Sequence, residues 1–261
     1  MLNLPNNIKS KIKGQEYQFD NVGMSSSNIM LFSDKVLKIQ DVCEEADNEI
    51  LAMQWLDGRL SVPEIIAHEK ENEKSYLLMT KAPGKMACDE SFMSDPEQLT
   101  NLLAQALQAL WQIDISDCPL DWSLDRKLRA AQYIVENNLA DMENVEPDTY
   151  GENGFKDSKD LLQWLTANRP EEEKVLSHGD FCLPNVYIEN NKFTYIDLGR
   201  TGIADKWCDI ALCYRSLMHN YSGKYGGKVY PDYDPNMLFD KLGLTPDWEK
   251  IRYYILLDEL F

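Results

Sequence analysis

The chain has 261 residues, 44 of them Asp or Glu and 26 Lys or Arg, for a formal net charge of −18. Apolar residues make up 44% and aromatics 10%, enough to build a core and too many for a disordered chain. So acidic a protein argues against nucleic acid or an anionic membrane as partner, because both need clustered Lys and Arg.

The first part reads as short strands over 16–24, 28–32 and 35–40, separated by the turn formers GMSSS and SD. A helical pattern follows over 45–56, then a strand at SYLLMT, 75–80. Pro83-Gly84 breaks the chain there, and the charge changes at the same point. Residues 1–85 hold 10 basic and 13 acidic side chains, against 16 and 31 in residues 86–261. A lobe boundary is therefore expected between residues 82 and 83, with the acid of the second lobe suited to a cationic partner or to a solvated surface.

Beyond the break the pattern turns helical. Leu99, Leu102, Leu103, Ala106, Leu107, Leu110 and Trp111 recur at the 3.6-residue period, and similar stripes cover 124–134, 161–165 and 207–218. Their Met and Trp residues read as core. One β-island interrupts the helices, with short strands expected over 175–177, 185–188 and 193–197, the last two joined by ENNK. The fold class expected is α+β, a small sheet-rich lobe followed by a larger helical one. Six cysteines stand at 43, 88, 118, 182, 208 and 213 without a CxxC, and only three histidines are present, which disfavours structural zinc. The N-terminal residues lack a signal peptide's apolar stretch, and no apolar run reaches the ~18 residues of a membrane span. A cytoplasmic protein with reduced thiols is the expectation.

The β-island carries the chemistry. It reads SHGDFCLPN from Ser177 to Asn185, then YIDLGR from Tyr195 to Arg200. Asp180 and Asn185 lie five apart on a loop, and Asp197 closes the next hairpin. Taken singly, Asp180 or Asn185 is more simply a turn cap. Together the three place oxygen donors suited to Mg²⁺ beside a carboxylate able to orient an attacking hydroxyl, which is what phosphoryl transfer needs.

HGDxxxxN and the later IDxG resemble the catalytic and metal loops of aminoglycoside phosphotransferases, and are similar in role to the HRDxxxxN and DFG segments of protein kinases. GMSSSNIMLF, VLKIQD, WLDGRLSVPEII, SYLLMT, IDISDCPL, ADKWCDIALCYRS and PDWEKIRYYILLDELF extend the resemblance from about Gly14 to Phe261, toward the aminoglycoside 3′-phosphotransferase branch. It implies a bilobal, protein-kinase-like fold with a nucleotide-binding lobe over 1–82 and a catalytic and substrate-binding lobe over 83–261. Asp180 matches the catalytic aspartate, and Asn185 and Asp197 match the Mg²⁺ ligands. Lys38 matches the lysine on the α- and β-phosphates, with Glu49 as its ion-pair partner. By itself Lys38 would read as an edge-strand lysine. Ser25 lies in the nucleotide-covering loop, which lacks GxGxxG. Backbone groups of Thr80 and Ala82 would meet adenine, with Met79 lining the pocket. The aromatic residue that stacks on adenine in related chains is Val36 here, which leaves ATP or GTP open as donor.

On the substrate side, the resemblance assigns drug contacts to Arg200, Asp258, Glu259 and the Phe261 carboxylate. The acidic segment 141–152 is expected to form the opposite wall, and His219 stands where related chains have an acid. The activity implied is ATP-dependent phosphorylation of an aminoglycoside at its 3′-hydroxyl, inactivating the antibiotic, with no obligate protein partner. Alternatives are a kinase of choline, homoserine or a macrolide, a silent nucleotide-binding module, and a phosphohydrolase using the same metal loop.

Overall fold

The computed structural model describes residues 4–19, 27–140, 145–152 and 154–261. Its N-terminal stretch begins with helix α1 (Asn6–Ile12), followed by β1 (Gln18–Phe19), β2 (Asn28–Leu31) and β3 (Lys35–Asp41). Helix α2 (Glu44–Leu56) and the hairpin β4 (Ile65–Glu71) and β5 (Lys74–Thr80) come next. The strands form one antiparallel sheet in the order β1-β2-β3-β5-β4. Asn72 and Glu73, with φ of 51° and 61°, make the two-residue turn between β4 and β5, a left-handed pair matching the twist of the strands it joins. Leu37, Ile39, Met30, Tyr76 and Leu78 bury one face of the sheet together with Ile8 of α1.

After β6 (Lys85–Met86) the chain becomes helical, with α3 (Glu90–Met93), α4 (Pro96–Trp111), α5 (Leu124–Glu136) and α6 (Ser158–Ala167). Then come β7 (Lys174–Ser177), β8 (Val186–Glu189), β9 (Lys192–Tyr195) and β10 (Gly202–Asp205), and the helices α7 (Lys206–Tyr221), α8 (Met237–Leu242) and α9 (Trp248–Asp258). Short acidic side chains start the helices. Asp95, Asp157, Asp205 and Asp247 each accept a backbone N–H of the first turn of α4, α6, α7 and α9.

The fold is α+β and divides into two compact units. The first comprises Met1–Lys85 with Val186–Arg200, and the second Met86–Asn185 with Thr201–Phe261. The first unit is thus assembled from two stretches of chain, and the β8–β9 hairpin, expected as an insert of the helical part, groups with it. Contacts within that unit explain why. A Cβ on Gly84, whose φ is 82°, would lie 2.3 Å from the carbonyl oxygen of Ile188 in β8, so only glycine permits that approach. Ser61 Oγ and Thr194 Oγ1 are 2.8 Å apart, and Tyr195 N–H donates to Ser61 O at 3.1 Å.

Two strands differ from expectation. The 65–71 stretch is a full sheet strand, though IIAHEKE alternates poorly. β7 pairs antiparallel with β10, whose GIAD carries too little pattern to read. Among the described residues no helix is long and apolar enough to cross a membrane.

Candidate active site

In the first unit, alternation along β3 puts Leu37 and Ile39 in the core, and Val36 and Lys38 on the other face with their cross-strand partners Met79 and Leu77. Lys38 Nζ donates to Glu49 Oε2 on α2 at 2.9 Å and to Asp197 Oδ1 at 2.7 Å. Lys38 and Glu49 are buried. Burial works to lower the lysine's pKa, but the Glu49 and Asp197 carboxylates outweigh it and hold the ammonium well above its ordinary range. The same burial pushes the Glu49 carboxyl upward, against the pull of Lys38.

Asp197 follows β9 with φ 58°, a left-handed conformation that Asp tolerates better than most side chains. The 3₁₀ turn Leu198–Arg200 behind it is seated on α2. Asn48 Nδ2 donates to Gly199 O at 2.9 Å, and a Cβ on Gly199 would lie 3.2 Å from Glu45 O. Arg200 Nε donates to Glu45 Oε1 at 3.0 Å. Helix α2 therefore positions Lys38 through Glu49 and Asp197 through the turn after it.

At the end of β5, Thr80 N–H donates to Glu64 O at 2.9 Å and is not available to a ligand. Ala82 is buried, and neither its N–H nor its C=O has a hydrogen-bond partner among the described residues. Buried backbone groups left unpaired are costly, so this pair is open to a ligand edge that both donates and accepts. Ser25 lies outside the described residues.

The second unit holds the HGD loop. Gly179 has φ 83°, which glycine adopts at no steric cost. Asn185 Nδ2 donates to Asp180 O and to Asp180 Oδ2, both at 3.0 Å, fixing the orientation of a half-buried carboxylate. Behind the loop, buried Asp209 of α7 accepts the N–H groups of His178 and Gly179. Ser216 Oγ accepts the Leu183 N–H at 3.0 Å, and Thr201 Oγ1 donates to His178 O at 3.0 Å. Sequence reasoning read 207–218 as an apolar stripe and passed over Asp209. An acid at a core position of that stripe was the available signal.

At the far end of α9, Arg215 of α7 pairs with Asp258 and, at 3.4 Å, with Glu259 Oε1. Glu259 Oε2 accepts the Glu146 N–H at 2.9 Å. Burial pushes the Glu259 carboxyl up to about 7, opposed by the Glu146 N–H and by Arg215. Phe261 is half-buried after the helix. Of the four residues expected to contact a drug, Asp258, Glu259 and Phe261 fall in the second unit, whereas Arg200 falls in the first and pairs with Glu45.

Residues 29–254 match the model of the phosphotransferase enzyme family. The chain belongs to that family. An aminoglycoside 3′-phosphotransferase of Enterococcus faecalis is 43% identical over 222 residues, covering 83% of this chain and 79% of that one. Another, of Staphylococcus aureus, is 38% identical over 267 residues and 97% of each chain. The solved structure of an aminoglycoside 3′-phosphotransferase of type VIII superposes with a TM-score of 0.79 over 98% of this chain and 97% of that one, at 23% identity, a likeness of fold. An aminoglycoside phosphotransferase of Streptomyces rimosus, solved with ADP and streptomycin, superposes at 0.75 over 97% of this chain and 95% of that one, at 17% identity. The HGD and IDLG loops and Lys38 of this phosphotransferase all lie inside the matched span.

Proposed function

We propose that this phosphotransferase transfers the γ-phosphoryl group of ATP to the 3′-hydroxyl of an aminoglycoside, inactivating the antibiotic. The observation that carries the reading is the buried Lys38, charged and held between Glu49 and Asp197. A silent nucleotide-binding module could use the same lysine, but it need not also retain Asp180, Asn185 and Asp197, all four of which this chain carries. The relatives named for aminoglycosides select the acceptor class.

The acceptor oxygen attacks the γ-phosphorus as the bond to the bridging oxygen breaks, and ADP leaves. Asp180 accepts the hydroxyl proton, and the Asn185 amide holds the carboxylate in the orientation that receives it. Because such transition states are largely dissociative, alignment matters more than basicity. Lys38 neutralises charge on the α- and β-phosphates. Ala82 holds the adenine edge.

The donor set fits Mg²⁺. Asn185 Oδ1 has no hydrogen-bond partner among the described residues, and the Asp197 side chain is 44% exposed. Both supply the hard oxygen ligands this ion prefers. Bound there, Mg²⁺ would neutralise charge on the β- and γ-phosphates.

A coupled ADP-release assay with kanamycin, neomycin, choline and homoserine tests the proposal. Turnover of the two drugs is expected, falling at least ~100-fold in Asp180→Asn, the usual scale of a lost general base. Preferred turnover of choline or homoserine would overturn the aminoglycoside assignment. Asp180→Asn turnover within threefold of wild type, roughly 0.6 kcal/mol, would overturn the role of Asp180.

A further inference from the structure

Helix α7 ends in a reversal that returns a lysine onto the helix. Gly223 has φ 75°, and its N–H bonds Asn220 O at 3.3 Å, while Lys224 N–H bonds His219 O at 3.0 Å. This is the pairing of a Schellman close, with glycine at its left-handed position. A Cβ there would also lie 2.8 Å from Val229 Cγ2.

The reversal brings Lys224 Nζ to 3.1 Å from Glu146 Oε1. His219 Nε2 is 2.8 Å from the same oxygen, and Tyr225 Oη is 3.1 Å from His219 Nδ1. Lys224 Nζ also lies 3.2 Å from His219 Nε2, so the imidazole and the ammonium crowd onto the one Glu146 oxygen. Burial would raise the Glu146 carboxyl, but its contacts with Lys224 and His219 hold it below the usual carboxylate range.

Two residues beside this cluster feel the Asp180 charge. Arg215 and Tyr225 both lie within the electrostatic reach of Asp180, in the same unit. Through its N–H, Glu146 is joined to Glu259, and with Arg215 and His219 it lines a cavity of about 230 Å³. A carboxylate so placed is where an acceptor ammonium would dock, yet it already carries a cation supplied by the chain.

We propose that Lys224 is a specificity-determining residue whose ammonium occupies the Glu146 carboxylate in place of an acceptor ammonium, so that a cationic acceptor binds by displacing it. The proposal rests on the aminoglycoside reading. Displacement is feasible because the Lys224 side chain is 39% exposed, and ion pairs of that kind are weak.

The test compares Lys224→Met and Lys224→Arg with wild type, using neomycin and ATP. In Lys224→Met the neomycin KM is expected to fall about threefold to fivefold, the scale of one partly exposed ion pair. Its kcat should change less than its KM, the ATP KM should hold, and added salt should raise the neomycin KM more steeply than in wild type. Lys224→Arg keeps the charge and should keep the wild-type KM. An unchanged or raised neomycin KM in a Lys224→Met protein that melts like wild type would overturn the proposal while leaving the aminoglycoside reading intact. A fall in both variants would also overturn it, marking a structural role. If wild type neither binds neomycin by calorimetry nor phosphorylates it, the reading itself fails and this proposal with it.

Discussion

Asp209 Oδ1 accepts the backbone N–H of Gly179 at 2.9 Å, and its other oxygen takes that of His178 at 2.8 Å. The carboxylate is wholly buried, which pushes its pKa upward against the pull of His178, the two N–H groups and Lys127. It thus spends its bonds on the backbone next to Asp180 and acts on the chemistry only by holding the loop.

Asp209→Asn turns one acceptor into an N–H₂ group facing a backbone donor. Hydrogen bonds to a charged group are worth ~1.5–3 kcal/mol each, so the variant should melt at lower temperature. Its kcat should fall more than either KM rises, because the misplaced group is Asp180. A variant with wild-type kcat and melting temperature would show that the loop holds itself.

The metal reading is checked by titrating Mg²⁺ against rate. Asp197→Ala loses a charged ligand and should raise the half-saturating Mg²⁺ concentration about tenfold, or ~1.4 kcal/mol. Asn185→Ala should shift it less, since a neutral ligand is lost, but should also lower kcat because the Asp180 carboxylate loses its amide partner. An unmoved Mg²⁺ dependence in both variants refutes the assignment.

Lys38→Met leaves Glu49 buried without its cation. Breaking such a pair typically costs ~3–5 kcal/mol, so a lower melting temperature should accompany a raised ATP KM. The stability loss should shrink in acid, where Glu49 escapes its unpaired charge by protonation. Equal effects on ATP and drug KM would mark Lys38 as structural only.

Glu259 gives a pH prediction. Its folded pKa of about 7 lies above the ordinary 4.5, so between those values the native state binds more protons than the unfolded chain. The group's contribution to stability is therefore present below that window and is lost as pH rises through it. Glu259→Gln should flatten that decline, and melting curves at about pH 4.5 and about pH 8 would show it. Wild type and variant with identical pH profiles would contradict it.

The motifs legible in the sequence were those whose meaning is local. HGDFCLPN and IDLG carry their spacing with them, and the Asn190-Asn191 turn between β8 and β9 has the left-handed pair its sequence implies, at φ 51° and 59°. Lys38 by itself read as an edge-strand lysine, whereas β3 lies inside the sheet between β2 and β5 and the lysine is buried. What escaped depends on partners distant in the chain. GIAD becomes a strand only because β7 lies beside it. Asp209 looks like an interruption in an apolar stripe until the loop it holds, thirty positions earlier, is folded against it. The pairing of Arg200 with Glu45 of α2 likewise joins residues 155 positions apart. Nothing near Val186–Arg200 in the sequence marks that hairpin as part of the first unit, because Gly84 and Glu45 fix it there.

That two-stretch construction has a consequence for synthesis. On the ribosome the sheet β1–β5 and helix α2 emerge early, while the hairpin that seats against Gly84 and Glu45 is still untranslated. At ordinary rates of elongation the intervening residues 86–185 take roughly 5–20 s to make. Through that interval Lys38 and Glu49 are neighbours without Asp197, and the flank of α2 destined for Gly199 lies bare. The nascent N-terminal stretch is therefore an unfinished folding unit that waits for its last fifteen residues to arrive from beyond the HGD loop.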